Sequence, residues 1–158
     1  MAHFVVVSTR KKFALIIGND NYERSKNKLD NSIKAAKELG RILKEINFTV
    51  IVLTDIRNEN QIMRKVQEFH DTITNDALVL FYFSGHGYQF DGHNYLIPTD
   101  DSRIEEAEDL KDLGSNVTRI VERLLQNKTS CMVIMVLDCC RPYVLGKSTA
   151  PICKLSLS

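Results

Sequence analysis

Ala77-Leu78-Val79-Leu80-Phe81-Tyr82-Phe83 is an unbroken apolar run that stops abruptly at Ser84-Gly85-His86-Gly87. It is strand-sized, and its apolar residues are consecutive rather than alternating. Such a run suits a strand buried on both faces, as in a parallel sheet covered by helices. Working outward, three more runs have this character: residues 13–17 ending at Gly18, residues 48–54, and residues 131–137 ending at Asp138-Cys139-Cys140-Arg141-Pro142. Helical stripes separate them. Ile33, Ala36, Leu39, Leu43 and Ile46 fall on one face, with Asp30 or Asn31 as N-cap. Gly40 costs that helix about 1 kcal/mol unless close packing requires it. Asn58, with Gln61 three residues on, has capping-box spacing ahead of a stripe at Ile62, Val66, Phe69 and Ile73. Ser115 or Asn116 precedes a third stripe at Val117, Ile120, Val121, Leu124 and Leu125. Between the third strand and that stripe, Asp91-Gly92 sits among alternating aromatic and polar residues, which predicts a hairpin. Residues 105–113 predict a short acidic helix.

Four buried-type strands alternating with amphipathic helices give a three-layer, doubly wound, mostly parallel α/β sheet, with a small hairpin after the third strand. Right-handed crossovers place helices on both faces. Ligands of such sheets lie beyond the carboxyl ends of the strands, near the point where strand order reverses. Gly18, residues 84–87 and residues 138–141 all fall at carboxyl ends. Three of the seven glycines lie between Gly85 and Gly92, so backbone freedom is concentrated at one of those ends.

Bulk properties narrow the function class. The length suits one domain. A net charge of +1 from 21 basic and 20 acidic residues gives no reason to expect nucleic acid or an anionic membrane as partner. Cys131, Cys139, Cys140 and Cys153 cluster at one end and do not resemble a disulfide framework, which favours a reduced, cytoplasmic setting. The early run Phe4-Val5-Val6-Val7 is too short for a signal-peptide core, and no apolar run reaches membrane-spanning length.

Each of the two longest strands ends at a chemically capable side chain, an imidazole in one and a thiol in the other. A thiol is a strong nucleophile as thiolate, and a neighbouring imidazole is the usual means of forming it. Spacing alone leaves the choice between Cys139 and Cys140 open, because adjacent side chains point to opposite sides. His86 lies between two glycines, and the Gly87 N–H with that of the nucleophile would form an oxyanion hole. Asp138 either holds a basic side chain by a charge-assisted hydrogen bond or pairs with Arg141. His3, His70 and His93 have no comparable setting. A zinc site is disfavoured because adjacent cysteines chelate one ion poorly, and no cofactor is called for. Gly18-Asn19-Asp20-Asn21 lacks the Lys-Ser/Thr of a phosphate loop.

The segments Phe13-Ala14-Leu15-Ile16-Ile17-Gly18-Asn19 with Tyr22, Phe81 to Tyr88, Asn94-Tyr95-Leu96-Ile97-Pro98-Thr99-Asp100, and Leu137 to Arg141 together resemble the caspase-like cysteine peptidases. This family spans caspases, metacaspases and paracaspases. The caspase signature Q-A-C-[RQG]-G places its histidine about 50 residues upstream, and His86 stands at a similar distance from Cys140. The resemblance implies a caspase-like large-subunit (p20-like) domain with flavodoxin-like topology. It selects Cys140 as nucleophile and His86 as its partner, with Gly87 and Cys140 N–H groups at the oxyanion. The implied activity is a cysteine-type endopeptidase acting on protein or peptide substrates. Asp138 stands where the caspase signature has Gln, and Pro142 where it has Gly. An Asp there is similar to metacaspases and paracaspases, implying a substrate-binding pocket for Arg or Lys. Those relatives carry a second pocket acid early in the first helix, where this chain has Ala35.

The resemblance runs from about Lys12 to Tyr143. It divides the chain into an N-terminal extension (1–11), the caspase-like domain (12–143) and an irregular tail (144–158). It also implies that the small-subunit region, which completes the sheet, is missing after Cys140, leaving the fourth strand as an edge for a small-subunit or homodimer partner. The competing expectation is a catalytically idle caspase-fold interaction module.

Overall fold

The computed structural model describes residues 10–139 and Leu145. The opening apolar run forms strand β3 (Leu78–Ser84), central with β1 (Lys12–Gly18) in a four-stranded sheet. On the far side of β1 lies β2 (Phe48–Thr54), and on the far side of β3 lies the last strand, β7 (Met132–Asp138). All pairings are parallel, and the order β2-β1-β3-β7 reverses direction between β1 and β3. The register sets Gly18 opposite Ser84 and Ser84 opposite Asp138, so three carboxyl ends finish level.

Helix α1 (Ser32–Glu45) covers one face, where Ala36 and Leu43 pack with Ala14, Ile16 and Tyr82. Helices α2 (Glu59–Thr72) and α4 (Val117–Leu125) cover the other. There Ile62, Val66, Phe69, Ile120 and Leu124 meet Leu15, Ile17, Phe81 and Phe83. Each such fully buried apolar side chain contributes roughly 1.5–3 kcal/mol. Gly40 has the packing reason that its cost requires, since a Cβ there would lie 2.6 Å from Val52 Cγ2.

After β3 the chain folds back through β4 (Gly87–Phe90) and β5 (His93–Leu96), an antiparallel hairpin. Asp91 (φ 51°) and Gly92 (φ 73°) take the left-handed conformations that a tight two-residue turn of this hand needs. The short strand β6 (Ser115–Asn116) pairs with β5. The expected acidic helix divides into a 3₁₀ turn (Ala107–Asp109) and a single turn of α-helix, α3 (Leu110–Leu113).

Three local expectations are refined. Asn31 is the N-cap residue of α1 but makes no side-chain cap. Asp20 supplies the acceptors instead, taking the N–H groups of Ser32 (2.8 Å) and Ile33 (3.1 Å). Asn58 caps α2 through Gln61 N–H, whereas the Gln61 side chain accepts from Arg57 N–H rather than closing the box on Asn58. Strand β7 is not buried on both faces. Val133, Met135 and Leu137 pack into the core, while Met132, Ile134 and Val136 are exposed on the opposite face, where α1 lies mainly over β1, β2 and β3. No described helix is long and apolar enough to cross a membrane.

Candidate active site

The site sits where the strand order reverses. Asn19, just past β1, donates its N–H to Ser84 O at 2.9 Å, and Gly85 N–H donates to Asp138 O at 3.3 Å. The ends of β1, β3 and β7 are thus joined by backbone beyond the sheet itself. The turn after β3 can pass so close only without side chains. A Cβ on Gly85 would lie 2.7 Å from the Tyr22 hydroxyl, and one on Gly87 would lie 3.1 Å from both Cys139 Cβ and Sγ. Gly87 and Cys139 therefore face each other, and Cys139 is buried.

His86 is 2% exposed and held at several points. Its N–H donates to Tyr22 Oη at 2.8 Å, and its carbonyl accepts from Ile97 N–H at 2.9 Å. The ring lies against Tyr22, with centroids 4.6 Å apart at 59°. Nε2 is 2.7 Å from Asn27 O. A carbonyl only accepts, so Nε2 carries the hydrogen, and in the neutral ring Nδ1 is the basic nitrogen.

Tyr22 is fully buried, and its hydroxyl also donates to Ile97 O at 3.2 Å. Burial pushes that hydroxyl well above its ordinary pKa, so it stays protonated. Asn19, also fully buried, spans the same junction, donating to Ile97 O at 3.3 Å and accepting from Ile56 N–H at 3.0 Å. Asp55 fixes the start of the loop through the N–H groups of Asp20 and Asn21 and the Asn21 side chain. Burial raises the Asp55 carboxyl, but these donors outweigh it and hold the group below the usual carboxylate range.

Beside the turn lies a cavity of about 230 Å³ bordered by Asn31, Ser32, Ala35, Ser84, Gly85 and Asp138. The Asp138 carboxylate accepts from Tyr82 Oη (3.2 Å) and Ser84 Oγ (3.3 Å), both at Oδ2. Oδ1 takes no hydrogen bond from the described residues. Burial, and then the Asp138 charge, raise the Tyr82 hydroxyl above its ordinary pKa. Ala35 lines this cavity with Asp138, so the two positions singled out in the sequence border one space.

His86, Gly87 and Asp138 thus come together at one end of the sheet. Cys140 and Arg141 lie outside the described residues, as do His3, Cys153 and most of the tail, so of the expected Cys–His pair the structure describes His86 alone. His70 is a packing residue that joins α2 to Gln126 O at 2.8 Å, and His93 is exposed on the hairpin. Nothing in the sequence singled out Asn27 or Asp20 as parts of the site, and Asn19 and Tyr22 stood out only through the resemblance. Their partners lie far along the chain, and the Asn27 group that matters is a backbone carbonyl.

Residues 11–153 match the family model for the caspase domain. The chain belongs to the caspase-domain family. It is 29% identical over 143 residues to human mucosa-associated lymphoid tissue lymphoma translocation protein 1, and 28% identical to the mouse homologue. Those alignments cover 90% of this chain but only 16% of either relative. Among solved structures, the Drosophila initiator caspase Dronc superposes with a TM-score of 0.59 at 14% identity, covering 78% of this chain and 47% of that one. A Geobacter sulfurreducens protein superposes with a TM-score of 0.60 at 17% identity, covering 82% and 50%. These likenesses carry the fold: a caspase-domain α/β sheet with the order found here.

Proposed function

We propose that this caspase domain is a cysteine endopeptidase with a Cys140–His86 dyad and a preference for Arg or Lys before the cut. The carrying observation is the fixed state of His86. Its Nε2–H is committed to Asn27 O, leaving Nδ1 as the base, and its turn is bonded to the end of β7, two residues before Cys140. In the reaction, His86 takes the thiol proton and the sulfur forms a bond to the scissile carbonyl carbon, whose π electrons move to oxygen. Gly87 and Cys140 N–H groups stabilise that oxyanion. Collapse breaks the C–N bond, with the His86 proton leaving on the amine. Water then cleaves the thioester, with His86 accepting its proton and returning it to sulfur.

Asp138 supports the basic preference, since its Oδ1 is open to a guanidinium or ammonium at the mouth of the cavity. With Ala35 in place of a second acid, that preference rests on one carboxylate. The test is covalent labelling by a peptide acyloxymethyl ketone ending in Arg. Labelling lost in Cys140→Ala and in His86→Ala supports the reading, and labelling equal to the parent in both sinks it.

A second reading, an idle caspase-fold interaction module, is favoured by the open face of β7. Met132, Ile134 and Val136 are 51%, 40% and 39% exposed on a strand whose outer edge meets no described partner. Such an edge suits a small-subunit region or a second copy adding a strand. A folded chain that takes no label, yet dimerises through this edge, would support it.

A further inference from the structure

The carbonyl that holds His86 belongs to a loop with little regular structure of its own, a 3₁₀ turn (Ser25–Asn27) between β1 and α1. One buried carboxylate grips both ends of that turn. Asp101 Oδ1 accepts from Arg24 N–H at 2.9 Å, immediately before it, and Oδ2 accepts from Asn27 Nδ2 at 2.7 Å, on its last residue. Asp101 is 0% exposed and Asn27 1%. The Arg24 side chain reinforces the junction from the other side, donating to the carbonyls of Asp101 (3.0 Å), Ser102 (2.6 Å) and Ile104 (3.1 Å). A carboxylate taken wholly out of water is costly unless its lone pairs are met, and here the donors come from the very segment that touches the histidine.

We propose that Asp101 is a positioning residue: by gripping Arg24 N–H and the Asn27 amide, it fixes Asn27 O on His86 Nε2 and keeps Nδ1 as the proton-accepting nitrogen. The consequence for thiol activation rests on the proteolytic reading above, whereas the tautomer itself does not. The chain of contacts is short, from carboxylate to amide, through one residue's backbone, to imidazole. A displacement of the carbonyl by even 1 Å would release Nε2–H, and misplacements of that size are enough to cost an enzyme most of its rate.

The residue types suit this role. An amide at position 27 meets the carboxylate without adding a second buried charge. Asp101→Asn replaces one acceptor oxygen by an NH₂, so either Arg24 N–H or the Asn27 amide faces a donor and is left without an acceptor. The reciprocal exchange, Asp101→Asn with Asn27→Asp, restores the geometry. The new amide at 101 accepts from Arg24 N–H through its oxygen and donates to the new carboxylate at 27.

The experiment reads ¹⁵N resonances of the neutral His86 ring in the full chain, together with the iodoacetamide alkylation rate of Cys140 relative to Cys131 in the same molecule. In the parent, Nε2 is protonated and Nδ1 is pyridine-like. In Asp101→Asn the two nitrogens move toward a tautomer average, and the Cys140 rate falls by about tenfold, the scale of one lost buried hydrogen bond. The exchanged pair returns both readouts toward the parent. Should Asp101→Asn fail to fold, Asn27→Ala, which keeps the carboxylate and its Arg24 contact, carries the same expectation. A folded variant that retains the parent's nitrogen signature and Cys140 rate overturns the proposal, as does an exchanged pair that folds without restoring either. If the parent has the Nε2–H tautomer and loses it in Asp101→Asn, while Cys140 reacts no faster than Cys131, the positioning role stands and the proteolytic reading falls.

Discussion

Replacing Tyr22 by Phe removes a single oxygen and probes the whole site. That oxygen is fully buried, accepts from His86 N–H at 2.8 Å and donates to Ile97 O at 3.2 Å. The two losses are unequal. Ile97 O keeps the Asn19 amide at 3.3 Å, so it still has a donor. His86 N–H loses the Tyr22 hydroxyl as its acceptor, and taking the acceptor from a buried donor costs about 1–3 kcal/mol. The ring itself stays, so the packing against His86 at 4.6 Å is retained and cavity terms do not enter. We therefore expect a loss near 2 kcal/mol, a fall of about 1 M in urea midpoint for a chain of this size. Because the turn after β3 is loosened, labelling of Cys140 by the Arg-terminated probe should also slow at equal folded fraction. A urea midpoint within about 0.2 M of the parent, which the same slope converts to under 0.5 kcal/mol, would refute the reasoning.

The raised pKa of Tyr22 adds a prediction in pH. A folded pKa above the unfolded value, about 10, means that the stabilisation is fully present below pH ~10 and is lost as pH rises through the folded pKa. Alkaline unfolding monitored by circular dichroism should therefore be shallower in Tyr22→Phe than in the parent. Gly40→Ala improves helix propensity by about 1 kcal/mol, but its Cβ would stand 2.6 Å from Val52 Cγ2, and overpacking of about 1–3 kcal/mol should win. A rise in its denaturation midpoint would contradict that packing. Ala35→Asp places a second carboxylate in the cavity of Asp138, and it should raise labelling by Arg-terminated probes over Gln-terminated ones several-fold. An unchanged ratio would mean that the substrate side chain goes elsewhere.

What was legible in the sequence depended on how local the cause was. The double burial of β3 follows from its own composition, and the hairpin from Asp91-Gly92, because one dipeptide suffices to set a tight turn. Asn31 is the N-cap residue of α1, as expected, but its capping acceptor was not legible, because Asp20 approaches from the preceding loop and cap preferences see only neighbours in sequence. β7 reads like a central strand in its residues, yet Met132, Ile134 and Val136 are exposed because burial belongs to the sheet position and not to the strand. In the site, His86 and Asp138 were visible as reactive types at strand ends. The groups that fix His86 were not, since one is a main-chain carbonyl and another, Asp101, acts on it from a loop after the hairpin.

The proposed dyad requires that His86 activate Cys140 and not its neighbour. Mass-spectrometric localisation of an Arg-terminated acyloxymethyl ketone after reaction with the folded chain tests it most directly. The adduct is expected on Cys140, with none on buried Cys139, and it should be lost in His86→Ala. An adduct on Cys139, or one on Cys140 that forms as fast without His86, would contradict it.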